Sequence, residues 1–172
     1  MKIIEGEKSQ IENNIREILD EKTIFLLEKY GIPKQIAPLG GTEYEILKTP
    51  YLNKDGNVVL GINYSTNCEH YLIINTDSEQ IYHQWNHNEI PNNIFINSSI
   101  EKMMFCDYSY TFFLRRLILA ESLGSYYDNS SKGGNFEKYA GLLFDLIFDI
   151  DKAATEKGVW HSLINEMKLG VI

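Results

Sequence analysis

The sequence predicts an α+β fold, with a central, mainly antiparallel sheet flanked by N-terminal and C-terminal helices. Near both ends of the chain, apolar residues recur every three or four positions, as they do along one face of a helix. The middle of the chain holds short runs of β-forming residues, and the brief connections between them are typical of antiparallel strands. The length of 172 residues favours one domain, so we expect residues 1–172 to fold as a single unit.

The N-terminal helical region is expected over residues 11–30. Its apolar residues begin with Ile11, Ile15, Ile18 and Leu19. Asp20 or Thr23 can begin a second helix within this range, because both side chains can accept hydrogen bonds from free backbone amides. Gly31 can adopt the left-handed conformation that ends many helices, and Pro33 cannot continue a helix. We therefore expect the region to end just before Gly31.

The predicted sheet lies in the middle of the chain. Its strands are expected over residues 44–49, 58–64, 70–76 and 80–85. Pro50 should close the first strand, since proline has no amide hydrogen to donate. Asp55 and Gly56 supply the backbone angles of a hairpin turn. Residues 92–96 fit either a further strand or extended chain that leads into the next helix.

The C-terminal part of the chain is predicted to be helical. Helices are expected over residues 98–121, 135–155 and 159–169. Ser98 and Glu101 fit a capping box, in which the hydroxyl and the carboxylate each accept a hydrogen bond from a free amide at the helix start. The second helix has the clearest apolar stripe, which predicts that Phe136, Leu143 and Ile147 are buried.

The composition indicates an acidic protein. Lys and Arg number 16 against 24 Asp and Glu, which gives a formal net charge of -8. Binding to nucleic acid requires clustered Lys and Arg opposite the phosphates, so we expect no nucleic-acid partner. A basic protein partner would suit this charge, although many proteins are acidic for solubility alone.

The sequence also bears on where the protein acts. Residues 1–8 lack the long apolar run of a signal peptide, and the chain contains no stretch of about 18 apolar residues that would span a membrane. The two cysteines, Cys68 and Cys106, are too few for a disulfide scaffold, so we expect both to be reduced and buried. These observations favour a cytoplasmic protein with no membrane partner.

The histidines and cysteines do not form a recognisable metal or catalytic motif. His83 and His87 have the i, i+4 spacing that can hold a metal ion on a helix, but on a strand this spacing separates them by about 13 Å. Cys68 and His70 are too close along one strand to orient each other as nucleophile and base, and Cys106 falls in an apolar helix. We expect no catalytic residue, no cofactor and no metal ion.

Asp107 is an unusual residue in the predicted helix over residues 98–121. By helical periodicity its carboxylate shares the apolar face with Ile100 and Met103. A buried carboxylate must be paired or hydrogen-bonded. The alternative is a kink or a helix end near residues 107–110, and we favour this alternative slightly.

Aromatic and acidic side chains are the candidates for contacts with a partner. Tyr126 and Tyr127 lie in a predicted polar loop, and exposed tyrosines are common in binding hot spots, although both rings could equally fold back onto the protein. Acidic residues would steer a basic partner towards them. The predicted anchors are Trp85, Tyr126 and Tyr127, and the predicted steering charges are Asp128, Asp145 and Asp149.

Three segments taken together resemble the SUKH superfamily, which includes the yeast cell-wall synthesis regulators and many bacterial immunity proteins. Residues 25–33 form a helix that ends in Gly-Ile-Pro, and residues 71–82 form a strand, an acidic turn and a second strand. Residues 94–103 enter a helix through Asn-Ser-Ser-Ile. The resemblance covers about residues 23–121.

This resemblance implies an α+β fold and a role without catalysis. It implies an immunity protein that neutralises a cognate bacterial toxin, of the nuclease type, by tight stoichiometric binding in the cytoplasm. The acidic charge agrees with this reading, since opposite charge speeds association with a basic toxin. Two other functions stay open: a regulatory or scaffold binding module similar to the yeast relatives, and a small hydrolase.

Overall fold

The structure, a computed structural model, describes residues 6–39, 42–64, 68–87, 90–124 and 136–170. It confirms the predicted α+β class, with helices before and after a five-stranded antiparallel sheet whose strands neighbour one another in chain order. The strands are β1 (Glu45–Leu52), β2 (Val58–Asn63), β3 (His70–Ile74), β4 (Ile81–His87) and β5 (Ile90–Asn97). Residues 92–96 therefore belong to a fifth strand.

Six α-helices are described. They are α1 (Asn13–Arg16), α2 (Glu21–Lys29), α3 (Ile100–Gly124), α4 (Phe136–Ile150), α5 (Lys152–Glu156) and α6 (Gly158–Lys168), and a 3₁₀ turn covers Ala37–Leu39. Within the described ranges, none of these helices has the combination of length and apolar character that crossing a membrane requires.

The predicted helical region over residues 11–30 is divided into α1 and α2. The division occurs because Asp20 has an extended backbone and its carboxylate accepts a hydrogen bond from the amide of Thr23 at 2.8 Å. Of the two predicted starts, Asp20 and Thr23, it is thus Asp20 that caps α2. Gly31 follows the helix with a φ of 73°, which confirms the predicted left-handed end.

The prediction that Pro50 closes the first strand is wrong, since β1 continues to Leu52. Proline is tolerated here because β1 lies at the edge of the sheet, where a missing amide hydrogen disrupts fewer hydrogen bonds. The register with β2 also shifts between Ile46 and Tyr51, so Pro50 falls in an irregular part of the ladder.

One side of the sheet packs against the helices and forms the main core. Buried strand residues on this side include Leu60, Leu72, Ile74, Ile81 and Ile96, and they join one cluster with Ile100, Met103, Leu143, Ile147 and Trp160. We call this side the helix-facing side. Val59 and Ile73 point to the other side, where they are buried but stand apart from that cluster.

The start of α3 differs from the predicted capping box. Ser99, rather than Ser98, caps the helix, and its hydroxyl accepts a hydrogen bond from the amide of Lys102 at 3.3 Å. Glu101 instead forms an ion pair with Lys22, at 2.6 Å between Nζ and Oε2. The capping box is lost because Ser98 is held by Asp151, whose Oδ1 accepts a hydrogen bond from the Ser98 hydroxyl at 2.9 Å.

The predicted helix over residues 135–155 is broken at Asp151, between α4 and α5. Leu143 and Ile147 are buried, as predicted. Phe136 is 38% exposed, so its predicted burial is wrong. It is the first residue of α4, and its ring faces Gly170, which has no side chain to cover it.

Asp107 lies inside α3, which continues without a break through residues 107–110, so the predicted kink or helix end is wrong. The carboxylate is buried, and its Oδ1 accepts a hydrogen bond from the amide of Ala37 at 2.8 Å. Burial raises the pKa of Asp107, and the Ala37 hydrogen bond opposes part of that change. Asp107 therefore ties α3 to the start of the 3₁₀ turn.

The two cysteines have different environments. Cys106 is buried in α3, as predicted, whereas Cys68 is exposed, so the prediction of two buried thiols is wrong for Cys68. Cys68 precedes β3 in a bend, where neither side of the sheet covers it. Burial raises the pKa of the Cys106 thiol to about 12, which leaves it protonated and inert at neutral pH.

Candidate interaction site

Tyrosines line the side of the sheet that faces away from the main core. The strand register places Tyr51 beside Val59, Val59 beside Ile73, and Ile73 beside Tyr82. Paired residues share one side of a sheet, so these four side chains form a row across β1 to β4. Val59 and Ile73 are buried in the middle of this row, between the two larger tyrosines. We call this surface the tyrosine face and define it by Tyr51, Tyr71 and Tyr64, which is close enough to the other two to raise their pKa further, beyond the larger effect of burial. Tyr82 ends the row, where it packs against the main core.

The exposure of these rings differs across the tyrosine face. Tyr51 is 43% exposed and Tyr64, just after β2, is 63% exposed. Tyr71 and Tyr82 are half-buried, and the Tyr82 ring packs edge-on against Phe95 with 5.8 Å between ring centroids. The rings are therefore most accessible near β1 and β2 and are packed towards β4 and β5.

Glu69 acts on two of these tyrosines, through a hydrogen bond to Tyr71 and through its charge near Tyr51. Its Oε2 accepts a hydrogen bond from the Tyr71 hydroxyl. Burial and, next, the nearby Glu69 carboxylate raise the pKa of Tyr51 and of Tyr71 above the usual value for a phenol. Both hydroxyls consequently remain protonated at neutral pH, so they can donate hydrogen bonds and carry no charge of their own.

A cleft of about 180 Å³ opens on the tyrosine face near the β1–β2 turn. It is lined by Tyr51, Asn53, Lys54, Asp55, Val59, Tyr71 and Gln84. Gln84 is only 2% exposed, and its amide nitrogen donates to Asn93 Oδ1 at 3.0 Å. Asn53 Oδ1 accepts from the amides of Asp55 and Asn57 at 3.0 and 2.9 Å, which fixes the turn. The polar lining is thus held in place by hydrogen bonds within the protein.

These features suit binding to another protein. Tyrosine offers a large, rigid surface at a low cost in conformational entropy, and its hydroxyl can pair with polar groups of a partner. Within the described ranges, no three His, Cys, Asp or Glu side chains gather closely enough to hold a metal ion. The tyrosine face presents recognition chemistry: aromatic area, hydrogen-bond donors and carboxylates.

The predicted anchor Trp85 lies on the helix-facing side, in a cluster of histidines. Its ring is 5.5 Å from that of His83 and 6.4 Å from that of His70, and it is half-buried. His83 Nδ1 is hydrogen-bonded to the Tyr44 hydroxyl, and His83 Nε2 lies 3.1 Å from His70 Nδ1. The alternation of side chains along β4 and β3 separates Trp85 from Tyr71 by the thickness of the sheet.

Burial, with a smaller contribution from His70, lowers the pKa of His83 to about 4. His83 is therefore neutral at pH 7, when one ring nitrogen accepts and the other donates a hydrogen bond. The Tyr44 hydroxyl can donate to Nδ1, which leaves the Nε2 hydrogen for His70 Nδ1. His83 lies on a strand, as predicted, and it works here as a satisfied buried side chain.

The acidic residues predicted to steer a partner lie on another element. Asp145 and Asp149 are exposed on α4. They are accompanied by Phe144 and Phe148, which are partly exposed and whose rings stack with 5.7 Å between centroids. Tyr126, Tyr127 and Asp128 lie outside the described residues, so their role stays a prediction. The described candidates are thus divided between the sheet and α4.

Sequence reasoning missed the tyrosine face because its strands are apolar on both sides. In residues 71–74 all four residues are apolar or aromatic, so no polar positions mark which side faces solvent. A weaker signal is present, since Tyr71 and Ile73 alternate with Leu72 and Ile74 and place the tyrosine opposite the aliphatic pair. Glu69, two residues before Tyr71, lies on the same side and supports that assignment.

Comparison with known proteins adds no relative: no family model, curated protein or solved structure matches this chain.

Proposed function

We propose that this protein is a cytoplasmic immunity protein, which neutralises a cognate bacterial toxin of the nuclease type by tight stoichiometric binding. It acts without catalysis, cofactor or metal. The SUKH-like segments support this proposal, as does the net charge of -8, since nucleases that bind phosphates are basic on the surface that this protein would cover.

The observation that carries the proposal is the tyrosine face. Exposed tyrosines on a sheet give a partner a rigid aromatic surface, and Tyr64 and Tyr51 are the most accessible of them. Interfaces concentrate their binding energy in a few such residues. Tyr64 and Tyr51 join Tyr126 and Tyr127 as proposed anchors, and Trp85 is left out because it lies on the helix-facing side. Asp128, Asp145 and Asp149 remain the proposed steering charges.

The direct test is co-expression with the toxin encoded by the neighbouring gene. Cells that express only the toxin should die, and cells that express the toxin together with this protein should survive. A purified mixture of this protein with an inactive toxin variant should elute as a 1:1 complex on a sizing column. Equal death in both cultures, with no complex, would reject the immunity function. The regulatory or scaffold module would then become the leading reading.

A surface variant makes this test specific to the tyrosine face. Tyr64→Ala should reduce protection, whereas Phe112→Ala removes an aromatic ring of similar exposure from α3 and should leave protection intact. Thermal melts of both variants establish that each is folded. Loss of protection by both variants to the same degree would place the contact elsewhere.

A further inference from the structure

We propose that the cleft between Tyr51, Tyr71 and Asp55 receives an arginine side chain of the protein partner. This inference rests on the proposed function, in that it names the chemical group of a toxin that the tyrosine face recognises. It concerns a site that can be tested by itself, with a small molecule that carries the same group.

The shape of the cleft favours one long side chain. Its volume of about 180 Å³ is small for a typical ligand pocket. The floor is apolar at Val59, and the walls include the rings of Tyr51 and Tyr71. An arginine has an apolar stem that can cover Val59 while its charged end stays near the polar rim.

The aromatic walls favour a cation. The face of a tyrosine ring attracts a positive charge, and arginine can also stack its planar guanidinium on the ring. Both phenols remain neutral at neutral pH, and the Tyr71 hydroxyl is directed towards Glu69 by its hydrogen bond. The Tyr71 ring is therefore positioned before a partner arrives.

The charges around the cleft also favour a cation. Asp55 and Lys54 both line the cleft. Glu69 lies next to it, hydrogen-bonded to Tyr71. Asp55 lies at an exposed turn, whose backbone is held by the hydrogen bond from the Asp55 amide to Asn53 Oδ1. Asp55 and Lys54 balance within the lining, and Glu69, which lies close to Tyr71 and Tyr51, adds the negative charge that favours a cation.

Arginine suits this lining better than lysine. Its guanidinium has five N–H donors in a planar fork, which can pair with a carboxylate and an amide oxygen at once. The cleft offers the carboxylate oxygens of Asp55 and also Gln84 Oε1, which accepts one long hydrogen bond from Asn53 Nδ2 at 3.4 Å and has a second lone pair. A lysine ammonium is a compact, strongly hydrated charge that gains less from flat aromatic walls.

The test is an NMR titration of the full chain with N-acetyl-arginine amide. Backbone amide signals of Asn53, Asp55, Tyr71 and Gln84 should shift and saturate, with a Kd on the order of 10 mM, the weak affinity of one isolated side chain. N-acetyl-citrulline amide has the same shape without the charge and should cause no saturable shift. N-acetyl-lysine amide should bind about threefold or more weakly than the arginine compound.

Charge variants of the cleft predict opposite changes. Asp55→Asn should raise the Kd about threefold to tenfold, because it removes a carboxylate from the rim. Lys54→Gln should lower the Kd about twofold to fivefold, because it removes the opposing cation. Glu166→Gln, an exposed carboxylate on α6, is the control and should leave the Kd unchanged within about twofold.

Three results would overturn the inference: no shift in the cleft, equal shifts with the citrulline compound, or a Kd that neither cleft variant changes. These results are separate from the co-expression test. If this protein protects cells but the cleft does not bind the arginine compound, the immunity function stands and arginine recognition by the cleft is rejected. If the cleft binds the arginine compound but the protein does not protect cells, arginine recognition by the cleft stands and neutralisation of that toxin is rejected.

Discussion

Asp151 Oδ2 accepts a hydrogen bond from the backbone amide of Ser98 at 2.8 Å, which fastens the break between α4 and α5 to the chain just before α3. The same oxygen accepts from Asn97 Nδ2 at 3.0 Å, and Asn97 Oδ1 accepts from Trp160 Nε1 at 3.0 Å. All but Ser98 are buried, so a single carboxylate organises the junction of β5, α3, α5 and α6.

Asp151→Ala should lower the free energy of unfolding by about 2–4 kcal/mol, because buried donors at Asn97 and Ser98 lose their acceptor. Urea unfolding followed by circular dichroism measures this loss. Lys152→Ala, which removes the exposed neighbouring side chain, should change stability by less than about 0.5 kcal/mol. Equal effects of the two substitutions would show that the junction does not depend on Asp151.

The two ends of the apolar stripe on α4 should respond differently to truncation. Leu143 is fully buried, so Leu143→Ala should cost about 2–5 kcal/mol through lost transfer energy and a cavity. Phe136 is 38% exposed, so Phe136→Ala should cost clearly less than Leu143→Ala. Denaturant melts of both variants test this order. If Leu143→Ala lowers the free energy of unfolding by less than about 0.5 kcal/mol, the side of α4 that carries Leu143 is exposed to solvent.

His83 should make stability depend on pH. Its pKa is about 4 in the folded protein and 6.5 in an ordinary setting, so the unfolded chain binds more protons between these values. Its contribution is present above about pH 6.5 and is lost as the pH falls towards 4. The shift sets an upper bound of about 3 kcal/mol, and screening by water reduces it to about 1–2 kcal/mol.

Proton NMR of the His83 ring measures this pKa directly. Its Cε1 proton should keep the chemical shift of neutral imidazole down to about pH 5. A titration midpoint near 6.5 would contradict the buried chain of hydrogen bonds from Tyr44 through His83 to His70.

Association with a basic toxin should slow as salt rises. The Debye length falls from about 30 Å at 0.01 M to about 8 Å at 0.15 M, so the steering charges act over a shorter range. Stopped-flow measurements should find an association rate that falls about tenfold or more, with a smaller change in dissociation. Neutralising Asp145 and Asp149 together should slow association at low salt, and an unchanged rate would remove them from the steering role.

Sequence reasoning succeeded where the signals are local. The α+β class, the start of α2 at Asp20 and its left-handed end at Gly31 depend on side chains within a few residues. It failed where a distant contact decides the outcome. Asp107 remains helical because it is hydrogen-bonded to Ala37, and Ser98 leaves the capping box because Asp151 holds it.

The candidate interaction site shows the same contrast between local signals and distant contacts. Trp85, Asp145 and Asp149 could be chosen from residue type, but which side of a strand meets solvent depends on what packs against the other side. For Tyr71 and Tyr82 that information comes from the register of β3 and β4 together with the position of the helices. Runs that are apolar on both sides do not contain it.

The central claim is that the tyrosine face binds the toxin, and the rate of dissociation of the complex tests it most directly. With the toxin domain immobilised, Tyr64→Ala should speed dissociation about tenfold or more, since an anchor ring contributes at least about 1.4 kcal/mol. Phe112→Ala removes an aromatic ring of similar exposure on α3 and should leave the rate within about twofold of the original. A Tyr64→Ala rate equal to that of the original protein, or a larger effect of Phe112→Ala, would contradict the account.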